Sequence, residues 1–162
     1  MNTLSKPKKK KPGRPRQPEP SSFLFEIKDW EPSYILSINH DRFFGGPYRE
    51  YMHIDFDALC LRPVKYQGQI IRFTFAGERD RLELEISKRN SDWRPICIGS
   101  LELQKEGGAF YASVPHDSMG FLMDAIARGM LRFVHLWGGQ LKRGKCLNTS
   151  LTMMKSVNPD DY

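Results

Sequence analysis

Tyr51-Met52-His53-Ile54-Asp55-Phe56-Asp57-Ala58-Leu59-Cys60-Leu61 alternates with period two. Met52, Ile54, Phe56, Ala58 and Cys60 share one face, and His53, Asp55 and Asp57 share the other. A strand sends successive side chains to opposite faces, so the pattern reads as a half-buried β-strand rather than a helix. The polar face sets three potential metal ligands in a row about 7 Å apart. One or two of them could serve a mononuclear site with help from elsewhere. The plainer reading is the solvated face of an amphipathic strand, so no metal and no other cofactor is assigned.

The alternation recurs on both sides of this stretch. Upstream, Phe23, Phe25 and Ile27 form one set and Tyr34, Leu36 and Ile38 another. Asp29-Trp30-Glu31-Pro32 between them reads as a turn, with Trp30 plugging one end of the core. Phe43-Phe44-Gly45-Gly46-Pro47-Tyr48 then makes an aromatic, glycine-bearing loop, suited to capping the end of a β domain or to holding a ligand. Downstream, Ile71, Phe73 and Phe75 followed by Leu82, Leu84 and Ile86 predict a hairpin, with Arg72 facing Glu83 or Glu85. Residues 96–103 put Leu101 and Leu103 inward. Glu106-Gly107-Gly108 turns the chain into Phe110, Ala112 and Val114.

Pro115 ends this run of strands. His116-Asp117-Ser118 supplies N-cap chemistry, Leu122, Ala125, Ile126 and Met130 have helical spacing, and Gly129 suits a C-cap. A last hairpin turns at Gly138-Gly139. In its first strand Phe133, His135 and Trp137 are assigned to the core face, which makes His135 a hydrogen-bonded core histidine, and Gly144 in the return strand suggests a bulge. The chain is therefore expected to form one domain over residues 22–156. That domain is mainly β, an antiparallel β-sandwich or open barrel of about eight or nine strands with one α-helix. A disordered basic tail, residues 1–21, precedes it, and residues 157–162 form a frayed C-terminus.

The charge is distributed unevenly. Residues 1–20 contain seven of the 25 lysines and arginines and one of the 19 acids, leaving eighteen of each sign beyond them. The tail is thus +6 and the remainder neutral. A basic arm on a neutral domain favours a polyanionic partner for the arm and is silent about the domain. Five prolines among the like charges disfavour both helix and strand in the arm.

Within the arm, Pro12-Gly13-Arg14-Pro15-Arg16 resembles the AT-hook, a short minor-groove DNA-binding motif built around Arg-Gly-Arg-Pro. The resemblance implies that Gly13 lets the backbone approach the groove floor and Pro15 keeps the segment narrow. Arg14 would insert into the negative minor groove of A·T-rich DNA. Lys8, Lys9, Lys10, Lys11 and Arg16 would lie along phosphates and release counterions. Pro12 stands where the motif carries a second arginine. In the domain, Arg132, Lys142, Arg143 and Lys145 form a local basic cluster, whose alternative role is to protect a sheet edge.

Three dispersed cysteines, Cys60, Cys97 and Cys146, favour free thiols in a reducing compartment over a disulfide or zinc framework. No signal peptide or membrane span is expected, which suggests an intracellular protein, of the cytoplasm or nucleoid in a bacterium or the nucleus in a eukaryote. No nucleophile elbow, zincin or phosphate-loop motif occurs, which weighs against an enzyme. The expected function is noncatalytic: the arm tethers a β-rich interaction domain to DNA, and the domain binds a protein partner or a second copy of itself. The alternative is a ligand-binding or signalling β module whose tail serves only targeting or solubility.

Overall fold

The alternating stretches become strands of a single sheet that closes on itself. The computed structural model describes residues 21–38, 48–78 and 97–158. Seven strands occur among them: β1 (Ser21–Ile38), β2 (Tyr48–Arg62), β3 (Ile70–Glu78), β4 (Gly99–Gln104), β5 (Gly107–Val114), β6 (Phe133–Gly138) and β7 (Lys145–Met154). A 3-10 turn at Val64–Tyr66 separates β2 from β3, and helix α1 (His116–Ala127) separates β5 from β6. The barrel runs β1-β2-β3-β5-β4-β7-β6, and β6 pairs back onto β1. All neighbours are antiparallel except β3 and β5.

The mainly β architecture with one described helix agrees with the sequence reading, but the sheet is a closed barrel and neither a sandwich nor an open barrel. Two expected strands, 23–27 and 34–38, are one. β1 runs through Asp29-Trp30-Glu31-Pro32 in register with β2, from Asp29↔Asp57 to Ile38↔Tyr48. An irregularity between Ile27 and Asp29 bends the strand without ending it. Pro32 is tolerated because β6 pairs only with Ser21 to Glu26 of β1, so Pro32 lies on a stretch flanked by β2 alone among the described residues. The expected return strand at 82–86 lies outside the described residues. The described neighbours of β3 are β2 on one side and β5 on the other.

The core is aromatic. Phe23, Phe25, Phe56, Phe73, Phe75 and Phe110 are all buried. Phe56 stacks on Phe73 at 4.8 Å, and Phe73 meets Phe25 and Phe110 at 5.0 Å each. Rings this close fill the barrel at their level to the density of a protein interior. Ile54, Ala58 and Cys60 of β2 point inward with Phe56, as the 51–61 pattern requires.

β6 has the opposite face inward to the one expected. Val134 and Leu136 are fully buried, whereas Phe133 and His135 are half-buried and Trp137 is exposed. Apolar residues stand on both faces of this strand, so alternation alone could not choose between them; a one-residue slip of register exchanges the faces.

Helix α1 begins directly after Pro115, and no side chain of His116-Asp117-Ser118 caps it. Its C-terminus follows the expected chemistry. Gly129 at φ +66° donates to the Ile126 carbonyl at 2.9 Å, and Met130 donates to the Ala125 carbonyl at 2.8 Å, a Schellman closure. The helix seats against β3 at Gly77, where an added Cβ would lie 2.5 Å from Cγ of buried Met119. Absence of a side chain at 77 is what lets the helix approach. No helix among the described residues is long and apolar enough to cross a membrane.

Candidate functional site

The barrel is polar in the sense of having two unlike ends. At one end β1 begins. Ser21 N–H donates to the Gly139 carbonyl at 3.4 Å, and Ser21 Oγ accepts from Leu141 N–H at 2.9 Å. The arm, residues 1–20, thus joins the domain beside the hairpin that leads into β7. In that hairpin Lys142 and Lys145 exchange two backbone hydrogen bonds of 2.9 Å around Arg143 and Gly144, at φ +50° and +81°. Positive φ at both central positions is the requirement of a tight primed hairpin turn, so Gly144 serves a two-residue turn and not a bulge. Lys142 and Arg143 are exposed at its tip, and Lys145 pairs with Glu102 at 2.6 Å.

The fourth member of the expected basic cluster is elsewhere. Arg132 N–H bonds to the carbonyl of Met154, at the far end of the ten-residue strand that Lys145 begins. That places it about 30 Å from the hairpin tip at ~3.3 Å per residue. Its guanidinium pairs with Glu26 at 3.6 Å. The structure therefore groups Lys142, Arg143 and Lys145 and separates Arg132 from them. Lys8, Lys9, Lys10, Lys11, Gly13, Arg14, Pro15 and Arg16 lie outside the described residues, as do Phe43 to Pro47 of the expected aromatic loop.

At the other end β1 and β2 continue past the barrel as a two-stranded ribbon. Every residue from Glu31 to Ile38 is exposed. Tyr34, Leu36 and Ile38 stand opposite Met52, Glu50 and Tyr48 on the continuation of the barrel's inner face, and Ile35 is on the reverse. Tyr34, Ile35, Leu36, Ile38 and Tyr48 are each at least half exposed, a concentration of large apolar side chains that solvent does not favour. The Tyr34 hydroxyl donates to Glu50 at 3.2 Å, and Glu50 lies 3.8 Å from Nε2 of His116 at the start of α1. These contacts tie the base of the ribbon to the helix.

The strip His53, Asp55, Asp57 lies on the outer face of β2, as its alternation requires, but its carboxylates are already engaged. Asp55 accepts from the Thr74 hydroxyl at 2.5 Å, and Asp57 accepts from Arg72 at 3.2 Å. Arg72 also pairs with Glu31, so its described partners are on β1 and β2; the expected partners Glu83 and Glu85 lie outside the described residues. Direct cross-strand pairing sets Asp29 against Asp57 and Glu31 against Asp55. Like charges so opposed repel, and Arg72 is the cation between them; the carboxylates on either side hold its guanidinium above even the usual arginine range. Asp29 and Glu31 escaped the sequence reading because they were assigned to a turn. No group of three histidine, cysteine or acidic residues suited to a metal ion occurs among the described residues.

His135 is not a core residue. Its Nε2 shares a 2.8 Å hydrogen bond with the Ser22 hydroxyl on the barrel's outer face. Burial beside its cross-strand neighbour Leu24 holds the imidazole below the usual histidine range. Among the described residues the interior contains one polar residue, Asn148, fully buried on β7, whose amide oxygen and nitrogen have no hydrogen-bond partner among them. No signal in the local sequence distinguishes it, because Asn148 sits in a polar run, Asn148-Thr149-Ser150. The three cysteines are free; Cys60 and Cys146 are buried, and desolvation pushes the Cys60 thiol up to about 11 and raises that of Cys146.

Comparison with protein-family models, curated proteins and solved structures gave no match to this chain. The functional reading therefore rests on the residues alone.

Proposed function

We propose that this chain is a noncatalytic nucleic-acid-associated protein in which the basic arm attaches to DNA and the barrel is an interaction module. The observation that carries this reading is the segregation of charge: the arm holds +6 and the rest of the chain is neutral. The AT-hook-like Pro12-Gly13-Arg14-Pro15-Arg16 supplies the groove-facing element, and Lys8 to Lys11 the phosphate contacts. Lys142 and Arg143 support the same surface, since their hairpin adjoins the residue from which the arm departs. Such a protein would work in the nucleoid or the nucleus.

Mobility shifts on full-length and Δ1–20 protein, with A·T-rich and G·C-rich duplexes, test this. Six phosphate contacts predict a loss of about 10³-fold in affinity between 50 and 200 mM salt. Deleting the arm is expected to abolish binding, and a Δ1–20 protein that binds duplex equally well would refute the assignment. Preference for A·T-rich duplex would mark groove reading by Arg14.

One observation favours the second reading, a ligand-binding module whose arm serves only targeting or solubility. Asn148 offers a donor and an acceptor inside the barrel with no partner among the described residues. A thermal-shift screen with nucleotides and metal ions tests it. A ligand that raises Tm in the native protein and not in Asn148→Leu would establish that site.

A further inference from the structure

The ribbon is unusual for an edge. Natural proteins protect exposed edge strands with charges, prolines, bulges or covering segments. Here, beyond Ile27, no described strand lies on the side of β1 away from β2. The seven residues Pro32-Ser33-Tyr34-Ile35-Leu36-Ser37-Ile38 carry no charge and are all exposed. Within these seven residues Pro32 alone blunts the edge, and it stands at the inner end.

We infer that this edge pairs with the same edge of a second copy of the chain. The partner is chosen by the pattern. Antiparallel pairing about a two-fold axis through Ile35 sets Ile35 against Ile35, Tyr34 against Leu36, Ser33 against Ser37 and Pro32 against Ile38. Every pair is apolar with apolar or hydroxyl with hydroxyl, and the arrangement is isologous, as a two-fold dimer requires. Sliding the register toward the barrel brings Glu31 and Asp29 against uncharged residues, which fixes the pairing at the tip. The lone proline removes one ladder donor at the margin and leaves the centre intact. The dimer is a four-stranded sheet joining two barrels. Its interface, seven residues from each copy, is at the small end of specific association, so the dimer is expected to be weak and concentration-dependent.

This deepens the reading of the barrel as an interaction module by naming its partner, and it does not depend on what the arm binds. It has a consequence for the arm if that reading holds. Ser21 is fourteen residues from Ile35, so the two arms leave from points at most roughly 90 Å apart at ~3.3 Å per residue. Arms so separated suit two duplexes better than neighbouring sites on one.

Sedimentation velocity of the full-length chain, from about 1 to 200 μM in 0.5 M salt, tests the dimer. The native protein is expected to pass from monomer to dimer across this range. Ile35→Lys puts two like charges together at the axis and removes the central apolar contact, and weakens the dimer by about 100-fold. Val64→Lys, at a residue 82% exposed on the turn between β2 and β3, dimerises like the native chain. Circular dichroism confirms that both variants retain the native strand signal. A native chain that stays monomeric at the highest concentration, or an Ile35→Lys chain that dimerises unchanged, overturns the inference. Because the salt suppresses arm contacts, failure here leaves the arm's DNA attachment to be decided by the mobility shifts.

Discussion

Gly77→Ala should loosen the helix from the barrel. The backbone at 77 is not in the left-handed region, so alanine adds no strain of its own and by intrinsic preference gains about 0.5–1 kcal/mol in a strand. The cost is steric. The new methyl lies 2.5 Å from Met119 Cγ, more than an ångström inside normal carbon contact, and 3.3 Å from the His116 backbone. Met119 is fully buried, and the overlapping atom is in the middle of its side chain, so a rotamer change at the thioether end cannot clear it. Overpacking of this kind costs about 1–3 kcal/mol, which leaves a net loss of about 1–2 kcal/mol. At roughly 2–4 °C per kcal/mol, Tm should fall by about 2–8 °C in thermal unfolding followed by circular dichroism. Met119→Ala alone should cost about 2–5 kcal/mol through its cavity. The double variant gives the decisive number, because the added methyl then enters the space that methionine vacates. A favourable coupling of about 1 kcal/mol or more is expected. Additive losses, or a Gly77→Ala chain as stable as the native one, would refute the close approach of α1 to β3.

Arg72→Met removes the cation between Asp29, Glu31, Asp55 and Asp57; a loss of about 1 kcal/mol at low salt is expected, and it should shrink in 0.5 M salt if unmasked repulsion is the cause. Thiol titration at pH 8 should find Cys97 reactive in the folded protein and Cys60 and Cys146 reactive only after denaturation, since burial holds both thiols protonated. Rapid native reaction of two thiols would contradict their burial. His135 titrates below its unfolded value, so the unfolded chain binds the proton first; its contribution is complete above about pH 6.5 and is lost as pH falls through the depressed folded value. Tm measured between pH 5 and 7.5 should therefore decline less steeply on acidification in His135→Gln, and identical profiles would show that His135 is not the group responsible.

Legibility followed the contrast between strand faces. In β2 and β3 one face is apolar and the other polar, and the buried sets Ile54, Phe56, Ala58, Cys60 and Ile71, Phe73, Phe75 could be read directly. The β4–β5 hairpin was equally plain, with Leu101, Phe110 and Ala112 inward. β6 offers Phe133 and Trp137 on one face against Val134 and Leu136 on the other, and the smaller set is the buried one. Local propensity broke β1 at Asp29 to Pro32, where continuous pairing with β2 overrides it. That error hid the ribbon and the two opposed acid pairs. The cluster of Arg132 with Lys142, Arg143 and Lys145 was a proximity in sequence that a strand's length undoes.

Local chemistry alone determined the segregation of charge into the first twenty residues, the β character of the domain, the single described helix and its glycine closure. Each depends on neighbours within a few positions, where spacing and side-chain type decide the outcome. Closure of the barrel, the face β6 turns inward, the joining of the arm's root to the Lys142–Lys145 hairpin and the projection of the uncharged ribbon were decided only by tertiary structure. They follow from pairings between residues far apart in the chain, such as Ser21 with Gly138 and Phe25 with Val134. Whichever strand lies alongside supplies the hydrogen bonds and shields the side chains, and no short window of sequence contains that strand.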